Sequence, residues 1–292
     1  MKKFIAMMAL LTAGVASAQQ KVVNVVWPFA PGSSQAVMIR SLLDSANSQQ
    51  TKYQFIFQNK PGAGGSIASN AVLQANSLTV LAHSSSFYSR PLLYTESHDI
   101  DQFAMIGQMC EHGPVGLFSR KYDSLQQMAN KEITVGVIPG SLTQVAATLF
   151  ASQKHSNVLL VPYKDTVAIT TDMLGKFVDV GTELVSVGAL ARMTPDTTLL
   201  AVTGTRNING VKPIKGLEFV TNSMLLFVPT SVDVETRREL HGIFARAVNK
   251  KVVEACNDEN GVVNSYTYDQ QESVNNTYKQ NWVTITRGMP KQ

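Results

Sequence analysis

Short apolar runs rich in β-branched residues recur along this chain, and stretches with helical periodicity separate them. Several runs are apolar at successive positions rather than at alternate ones, which is typical of strands covered on both faces, as in parallel sheets. The predicted strands are 22–29, 53–58, 78–82, 103–108, 115–118, 133–138, 158–161, 177–180, 199–202 and 224–228.

Between these runs, apolar residues repeat with the spacing of one helix face. The predicted stripes are Val37, Ile39, Leu42, Leu43 and Ala46; Ile67, Ala68, Ala71, Val72 and Ala75; Val145, Ala146, Leu149 and Phe150; and Leu240, Ile243, Phe244, Ala247 and Val248. The last helix is predicted to start at a cap near Ser231 or Asp233. Alternating strands and helices predict an α/β chain with mostly parallel sheets.

The strand–helix series occurs twice, and polar stretches at 119–125 and 203–216 separate the repeats. We predict two doubly wound α/β lobes, the second inserted into the first, with crossovers near residues 120 and 222. Residues 19–120 and 223–292 form the first lobe in this prediction, and residues 121–222 form the second.

The first 18 residues have the pattern of a secretory signal peptide. Lys2 and Lys3 precede a short apolar run at 4–15, and the small residues Ala16, Ser17 and Ala18 follow it. We expect cleavage after Ala18, which leaves 274 of the 292 residues, and we expect the mature protein in the periplasm. The alternative is a retained N-terminal anchor, but a membrane span needs about 20 apolar residues.

Charge and cysteine content argue against nucleic acid as a partner and against a zinc site. The formal net charge of +4 falls to about +2 without Lys2 and Lys3, and the basic residues are dispersed, so nucleic acid is a poor candidate partner. Cys110 and Cys256 could pair in an exported protein. Because they lie far apart in sequence and outside any C-x-x-C motif, we expect two unpaired thiols and no zinc site.

Loops of Gly and Ser follow several predicted strands and start several predicted helices. They contain 32–34, 62–66, 84–86 and 140–143. Helix N-termini present unpaired N–H groups and partial positive charge, and small residues allow a ligand to approach the backbone. Because the carboxyl ends of neighbouring strands meet at one crevice, these loops predict a site for a small anion, above all a carboxylate.

Other interpretations of the same loops are weaker. The segment starting at Gly62 resembles G-x-G-x-x-G, but Ile67 takes the sixth position and no acidic residue follows about 20 positions later, which argues against a dinucleotide. We find no nucleophile-elbow or zinc-protease motif. His83 and His112 are isolated histidines, more typical of packed or surface residues than of catalytic ones. The turns could also bind no ligand.

Four motifs, in the order PFAPGSS, NKPGAGGSIASNAV, VPYKDT and LLAVTG, resemble the periplasmic solute receptors of tripartite tricarboxylate transporters, often called Bug-type receptors. The likeness covers nearly all of the chain. It implies a two-lobed periplasmic-binding-protein fold that closes on a di- or tricarboxylate, an acidic amino acid or an aromatic acid. It also implies that backbone amides and ordered waters hold the ligand carboxylate, and that integral-membrane permease subunits receive the ligand.

The resemblance further implies which residues face the ligand. They are Phe29, Ala30, Gly32, Ser33, Ser34 and Gln35 in one loop; Gly62, Ala63, Gly64, Gly65 and Ser66 in a second; Ser84, Ser85 and Ser86 in a third; and Ser141, Thr143, Gln144, Tyr163, Lys164 and Glu183 from the other lobe. No metal or cofactor is implied, and we expect a monomer.

Several of these side chains have two possible roles. Phe29 could pack against the ligand or within the turn. Tyr163 could donate its hydroxyl to a second carboxylate or pack in the core. Lys164 could be the one cation at the cleft or a solvated charge, and Glu183 could select against a second anionic group or bind an amino group. Trp27 and Trp282 are predicted core residues.

The sequence departs from the family pattern at the first loop, where Ser33, Ser34 and Gln35 replace glycines and the usual acidic residue. The substrate is therefore not predicted. Three functions remain open: a carboxylate receptor, which we favour; a ligand-sensing module for a membrane partner; and an exported hydrolase of a small acid ester that would use 84–86 with His112. The last requires hydrogen-bonding distance between that histidine and a serine.

Overall fold

The computed structural model describes residues 20–29, 31–154, 157–287, 289 and 291, without the side chains of His112, Gln153 and Lys154. The predicted signal peptide, 1–18, lies outside the described residues and stays a prediction.

The described strands and helices alternate for most of the chain. The strands are β1 (Lys21–Trp27), β2 (Tyr53–Asn59), β3 (Thr79–Ser84), β4 (Phe103–Ser119), β5 (Glu132–Val137), β6 (Asn157–Pro162), β7 (Val180–Leu184), β8 (Thr198–Val202) and β9 (Thr221–Pro229). The helices are α1 (Ser34–Gln49), α2 (Ser66–Leu73), α3 (Ser86–Leu93), α4 (Leu142–Lys154), α5 (Thr166–Leu174), α6 (Val187–Arg192), α7 (Val234–Ala247), α8 (Lys250–Asp258) and α9 (Tyr268–Thr286).

The strands form one sheet in the order β2-β1-β3-β9-β4-β7-β5-β6, with β8 paired to β4. Strand β4 connects the two ends of this sheet because it is long. Its first part pairs with β9, and its last residues pair with β7 and β8. We call β2, β1, β3, β9 and the first part of β4 the first half-sheet, and the last part of β4 with β7, β5, β6 and β8 the second half-sheet.

Mostly parallel sheets were predicted, and the structure combines parallel and antiparallel pairing. Strands β1, β2 and β3 are parallel, as are β5, β6 and β7, but β4, β8 and β9 pair antiparallel. The runs at 103–108 and 115–118 were predicted as separate strands and are one, since β4 continues through Gly113 and Pro114 with shifts of register against β9. Strand β4 runs antiparallel to β9 in the first half-sheet and to β7 and β8 in the second.

Each face of the first half-sheet is covered by helices. Helices α1, α7 and α8 pack on one face with Trp27, Ile39 and Phe244, all fully buried. The other face packs with α2, α3 and α9, where the Phe87 and Phe227 rings stack at 4.1 Å between centroids, and this cluster continues to α4. Trp282 is 1% exposed, so both tryptophans are core residues, as predicted.

Several apolar residues of the predicted helix stripes and strands are exposed. Val37 and Ile67 are 56% and 52% exposed, and Phe177, the predicted start of a strand, is 80% exposed. Val37 lies two residues, about 200° around the helix, from Ile39, so the two cannot share a face. Strand β7 starts only at Val180. The cap predicted for α7 is Asp233, whose Oδ1 accepts from the N–H of Thr236 at 2.8 Å.

Cys110 and Cys256 form a disulfide, so the prediction of two unpaired thiols is wrong. Their separation of 146 residues gave no local signal, because the two cysteines lie in β4 and α8, which only the tertiary structure brings together. Gly261 packs against it: a β-carbon at this position would lie 2.4 Å from the Cys110 sulfur. Within the described chain, none of the helices has both the length and the apolar character that a bilayer span requires.

Candidate functional site

Four turns contain most of the predicted ligand residues. We call 28–35 the first turn, 62–66 the second, 84–86 the third and 140–144 the fourth. Strands β1, β2 and β3 are parallel, so the first three turns lie at the same edge of the first half-sheet, where α1, α2 and α3 start. The fourth turn connects β5 to α4 in the second half-sheet.

The first turn is held by hydrogen bonds from its neighbours. The Asn59 side-chain amide donates to the Phe29 carbonyl oxygen at 2.6 Å. Ser33 caps α1, because its Oγ accepts from the N–H of Ala36 at 3.2 Å. Ala30 lies outside the described residues. These bonds fix the start of α1 and orient its backbone before any ligand is considered.

A carboxylate of the chain itself already contacts the first turn. The Ser34 hydroxyl donates to Glu259, and the Gln35 side chain forms a hydrogen bond with the same carboxyl group. Glu259 follows α8 and is 2% exposed. Both side chains were predicted to face a ligand, which stays a prediction, and in the structure both contact an internal acid.

Burial is the main influence on the Glu259 carboxyl group. It raises the pKa to about 7, while the hydrogen bonds from Ser34 and Gln35 act in the opposite direction and the nearby charge of Asp258 adds to the rise. Near neutral pH this group is therefore divided between its charged and neutral forms.

The second turn consists of left-handed backbone. Gly62, Ala63, Gly64 and Gly65 have φ values of 132°, 46°, 58° and 100°. Gly65 packs directly on His83, since a β-carbon there would lie 2.1 Å from the ring Nε2. Only glycine fits at that position, so the backbone can pass directly over the ring.

His83 is a buried, neutral histidine beneath the second turn. Burial, with a contribution from His98, lowers its pKa to about 3. The Nδ1 atom donates to the Ser84 carbonyl oxygen at 3.0 Å, and Nε2 has no partner among the described atoms. The ring contacts Phe29 edge-on at 5.3 Å, which joins the first turn to the second. Phe29 therefore packs within the turns.

Ser66, at the end of the second turn, also points inward. Its hydroxyl lies 3.4 Å from His98 Nδ1 and 3.1 Å from Ser97 Oγ. His98 Nε2 donates to the Phe87 carbonyl oxygen at 2.9 Å, and burial lowers the histidine pKa to about 4.

The hydroxyl groups of the third turn are bonded within the protein. Ser84 and Ser86 share a hydrogen bond of 2.6 Å, and Ser85 Oγ accepts from the N–H of Ser223 at 2.8 Å. All three serines are buried. The His112 side chain, the other member of the proposed hydrolase pair, lies outside the described residues.

The fourth turn uses its own side chains to shape its backbone. Ser141 Oγ donates to the Ile138 carbonyl oxygen at 2.8 Å, and Thr143 Oγ1 accepts from the N–H of Ile138 at 2.9 Å. Gln144 Oε1 accepts from the N–H of Gly140 at 2.6 Å. These side-chain groups form hydrogen bonds within the turn. The groups that the turn offers to a ligand are therefore backbone groups at the start of α4.

Three predicted residues of the second half-sheet have partners elsewhere. The Tyr163 hydroxyl donates to Asp172 at 2.7 Å, and burial together with this bond raises the tyrosine pKa to about 12. Glu183 pairs with Arg192 and accepts from Thr170, yet burial still raises its pKa. Lys164 is exposed. The structure does not bring these side chains to the first three turns.

The cation that the structure brings to these turns is Arg90, which the sequence interpretation missed. It lies in α3, is 9% exposed, and packs between Gly64 of the second turn and Gly140 of the fourth. The signal that could have identified it is its setting: the segment from Ser86 to Leu93 is otherwise uncharged, so an arginine there is expected to be partly buried.

Open cavities lie away from the turns. Two surface cavities of about 450 and 400 Å³ have no predicted ligand residue in their lining. No group of three or more metal-ligating side chains occurs in the part of the chain that the structure describes. Among the described residues, Glu259 contacts the first turn, His83 packs against the second, and Arg90 packs against the second and the fourth.

Comparison by sequence and by structure gives different results. No protein-family model matches the sequence, and no curated protein matches it. The structure resembles the periplasmic binding protein BugD with a TM-score of 0.75 and 21% identity, covering 93% of this chain and 99% of that one.

Two ligand-bound structures from Rhodopseudomonas palustris are also similar. One is Rpa4515 with adipate, with a TM-score of 0.77, 16% identity and coverage of 91% of this chain and 96% of that one. The other is MatC with bound malate, with a TM-score of 0.74, 18% identity and coverage of 90% and 98%. The chain has the two-lobed α/β fold of Bug-type periplasmic binding proteins over nearly its whole length.

Proposed function

We propose that this protein is an exported receptor that binds a small organic acid between its two half-sheets and delivers it to a tripartite tricarboxylate-type permease. The observation that carries the proposal is the meeting of turns from both half-sheets. The second turn, helix α3 and the fourth turn lie together, and Ser89 Oγ in α3 contacts the Gly140 carbonyl oxygen at 3.4 Å.

Backbone at these turns suits an anion. Helices α2, α3 and α4 start there, and N-terminal N–H groups bind carboxylates with the help of the helix dipole. Hydrogen bonds to a charged group contribute about 1.5–3 kcal/mol each, so three or four of them together with an enclosing apolar wall could reach the roughly −8 kcal/mol of a micromolar complex.

The similar structures support the ligand class. Rpa4515 is bound to adipate and MatC to malate, and both ligands are dicarboxylates. For this chain we propose the same class without choosing a member, since its first turn holds Glu259 and differs from the family pattern. The lobe boundaries proposed from the sequence are 19–120 with 223–292 and 121–222. They are supported by β4, which ends in the second half-sheet at Ser119, and by β9, which returns the chain to the first half-sheet from Thr221.

Ligand binding would shift the population from an open to a closed form. A ligand that contacts both halves stabilises the closed form, because its affinity for that form is higher. The proposed location is the periplasm, and the proposed role is binding rather than catalysis. Support for binding comes from the serine hydroxyl groups of the third turn, which are bonded to one another and to backbone.

A ligand panel tests the proposal. The mature protein is heated with malate, succinate, adipate, citrate, glutamate or benzoate, and each acid is matched by its primary amide at equal ionic strength. An acid at 100 times its Kd should add about 2.7 kcal/mol of stability, and its amide should add none. Equal melting temperatures with all acids and all amides would contradict the proposal. Slower uptake of the bound acid after gene deletion would support delivery to a permease.

A further inference from the structure

Arg90 is held in place by neighbours from both half-sheets. Its guanidinium lies over the Tyr94 ring, 3.7 Å from the centroid. The Tyr94 hydroxyl donates to Gln144 Oε1 at 3.0 Å, and the same oxygen accepts from the N–H of Gly140. The arginine is thus connected to the fourth turn through a tyrosine and a glutamine, which limits the rotamers available to it.

Two glycines leave the space that the guanidinium fills. A β-carbon at Gly64 would lie 3.1 Å from Arg90 Cδ, and one at Gly140 would lie 2.6 Å from Nη1. Both glycines have positive φ, 58° and 76°. The second and fourth turns therefore approach the arginine from opposite half-sheets, each with bare backbone.

The charge of Arg90 has no counter-ion in contact. Among the described residues no carboxylate lies within salt-bridge distance of it, and Nε is buried without a hydrogen-bond acceptor. Burial lowers the pKa of Arg90, and the influences of Tyr94 and Glu96 act in the opposite direction. A buried cation without a partner is costly, so such groups are normally paired.

Two buried acids of the second half-sheet differ from Arg90, because each has an ion-pair partner. Glu183, with 8% of its side chain exposed, pairs with Arg192, and Asp179, with 11%, pairs with Lys121. Arg90 is as buried as these acids, but within the described part of the chain it has no oppositely charged partner in contact. Because arginine presents a planar fork that matches a carboxylate, the missing partner is best supplied by a carboxylate.

We infer that Arg90 is a ligand-binding residue that forms an ion pair with a carboxylate group of a small organic acid between Gly64 and Gly140. This inference rests on the proposed function and deepens it. The ion pair contacts turns of both half-sheets, so it stabilises the closed form as well as the ligand. It also replaces Lys164 as the cation of the site.

Substitutions of Arg90 test the inference. Arg90→Gln removes the charge, Arg90→Lys keeps it without the fork, and Arg246→Gln removes an exposed arginine from α7 as the matched control. Each protein is titrated calorimetrically with the six acids and their amides. We expect Arg90→Gln to weaken binding of the preferred acid at least 30-fold, Arg90→Lys about tenfold, and Arg246→Gln less than twofold.

Two further readouts separate ligand binding from a structural role. The preference for acid over amide should disappear in Arg90→Gln, and the ligand-free melting temperature should stay level or rise, since an unpaired buried charge has been removed. Unchanged acid affinity in Arg90→Gln, or weaker binding with the acid preference intact and a lower ligand-free melting temperature, would overturn the inference. Failure of the wild-type protein to bind any acid would contradict the proposed function itself, and the inference with it.

Discussion

The first turn and the facing second and fourth turns balance charge in opposite ways. At the first turn, Ser34 and Gln35 contact Glu259, an acid supplied by the chain. Between the second and fourth turns, Arg90 is a cation for which the described chain supplies no contacting acid. All three turns have the Gly- and Ser-rich sequence of a ligand loop. The comparison teaches that a loop's composition does not reveal whether the protein has already filled it.

This difference directs an anionic ligand. A second carboxylate at the first turn would meet Glu259 and be repelled whenever that group is charged, whereas one beside Arg90 would gain an ion pair. The predictions below separate the two regions, in order of decreasing effect.

Removal of the disulfide is expected to have the largest effect. Cys256 lies three residues before Glu259, so its bond to Cys110 anchors the segment that contacts the first turn. Cys110→Ala with Cys256→Ala should lower the free energy of unfolding by up to about 5 kcal/mol, on the loop-entropy estimate for 146 residues. Urea denaturation measures it. Each single variant should lose as much as the double, and a loss below about 1 kcal/mol would show that the bond does not hold this segment.

Glu259→Gln should change the pH dependence of stability. The folded-state pKa of Glu259, about 7, lies above the ordinary 4.5, so the folded protein binds the extra proton. The contribution of this group to stability is greatest below pH 4.5 and is lost as pH rises through 7. The full difference is about 3 kcal/mol, since one pKa unit corresponds to 1.36 kcal/mol. His83 and His98, whose folded-state pKa values are lowered to about 3 and about 4, favour folding as pH rises, and they do so in both proteins. Urea titrations at pH 5 and pH 8 should therefore show that wild type loses most of this amount relative to Glu259→Gln between the two pH values.

Glu254→Gln, at an exposed acid of α8, is the matched control and should retain the wild-type dependence of stability on pH. Affinity for the preferred acid should change less in Glu259→Gln than in Arg90→Gln. A larger loss of affinity in Glu259→Gln than in Arg90→Gln would place the ligand at the first turn and contradict the contrast between the two regions.

Gly140→Ala should disturb the packing of Arg90 between the second and fourth turns. Alanine at φ 76° costs about 1–2 kcal/mol anywhere, and here its β-carbon would also meet Arg90. Gly210→Ala is the control, because φ is 82° and no atom lies within 4 Å of the added carbon. Melting temperature and acid affinity should both fall further in Gly140→Ala, and the excess should vanish when Arg90 is also alanine. Equal effects at the two glycines would show that Arg90 moves aside freely.

Tyr163→Phe should have the smallest effect. The lost hydroxyl donates to Asp172, so the free energy of unfolding should fall by about 1 kcal/mol while acid affinity stays within twofold. Calorimetric titration beside wild type measures the affinity. A tenfold weaker complex would return Tyr163 to the site and move the ligand toward the second half-sheet.

The sequence by itself determined the class of fold and many of its local boundaries. Apolar runs and helical stripes predicted most strands and helices because burial patterns repeat over a few residues. The predicted cap of α7 at Asp233 was confirmed, since a cap depends on an N–H three residues ahead. The positions of the four turns followed from the same local signals.

Only the tertiary structure decided what surrounds those turns. The Ser34–Glu259 contact joins residues 225 apart, the disulfide joins residues 146 apart, and Arg90 meets Gly140 across two half-sheets. Antiparallel pairing of β4 and β9 was likewise invisible in patterns that resemble parallel strands. Periodicity reports how much of a residue is buried, and only the path of the sheet decides which distant charge or sulfur arrives beside it.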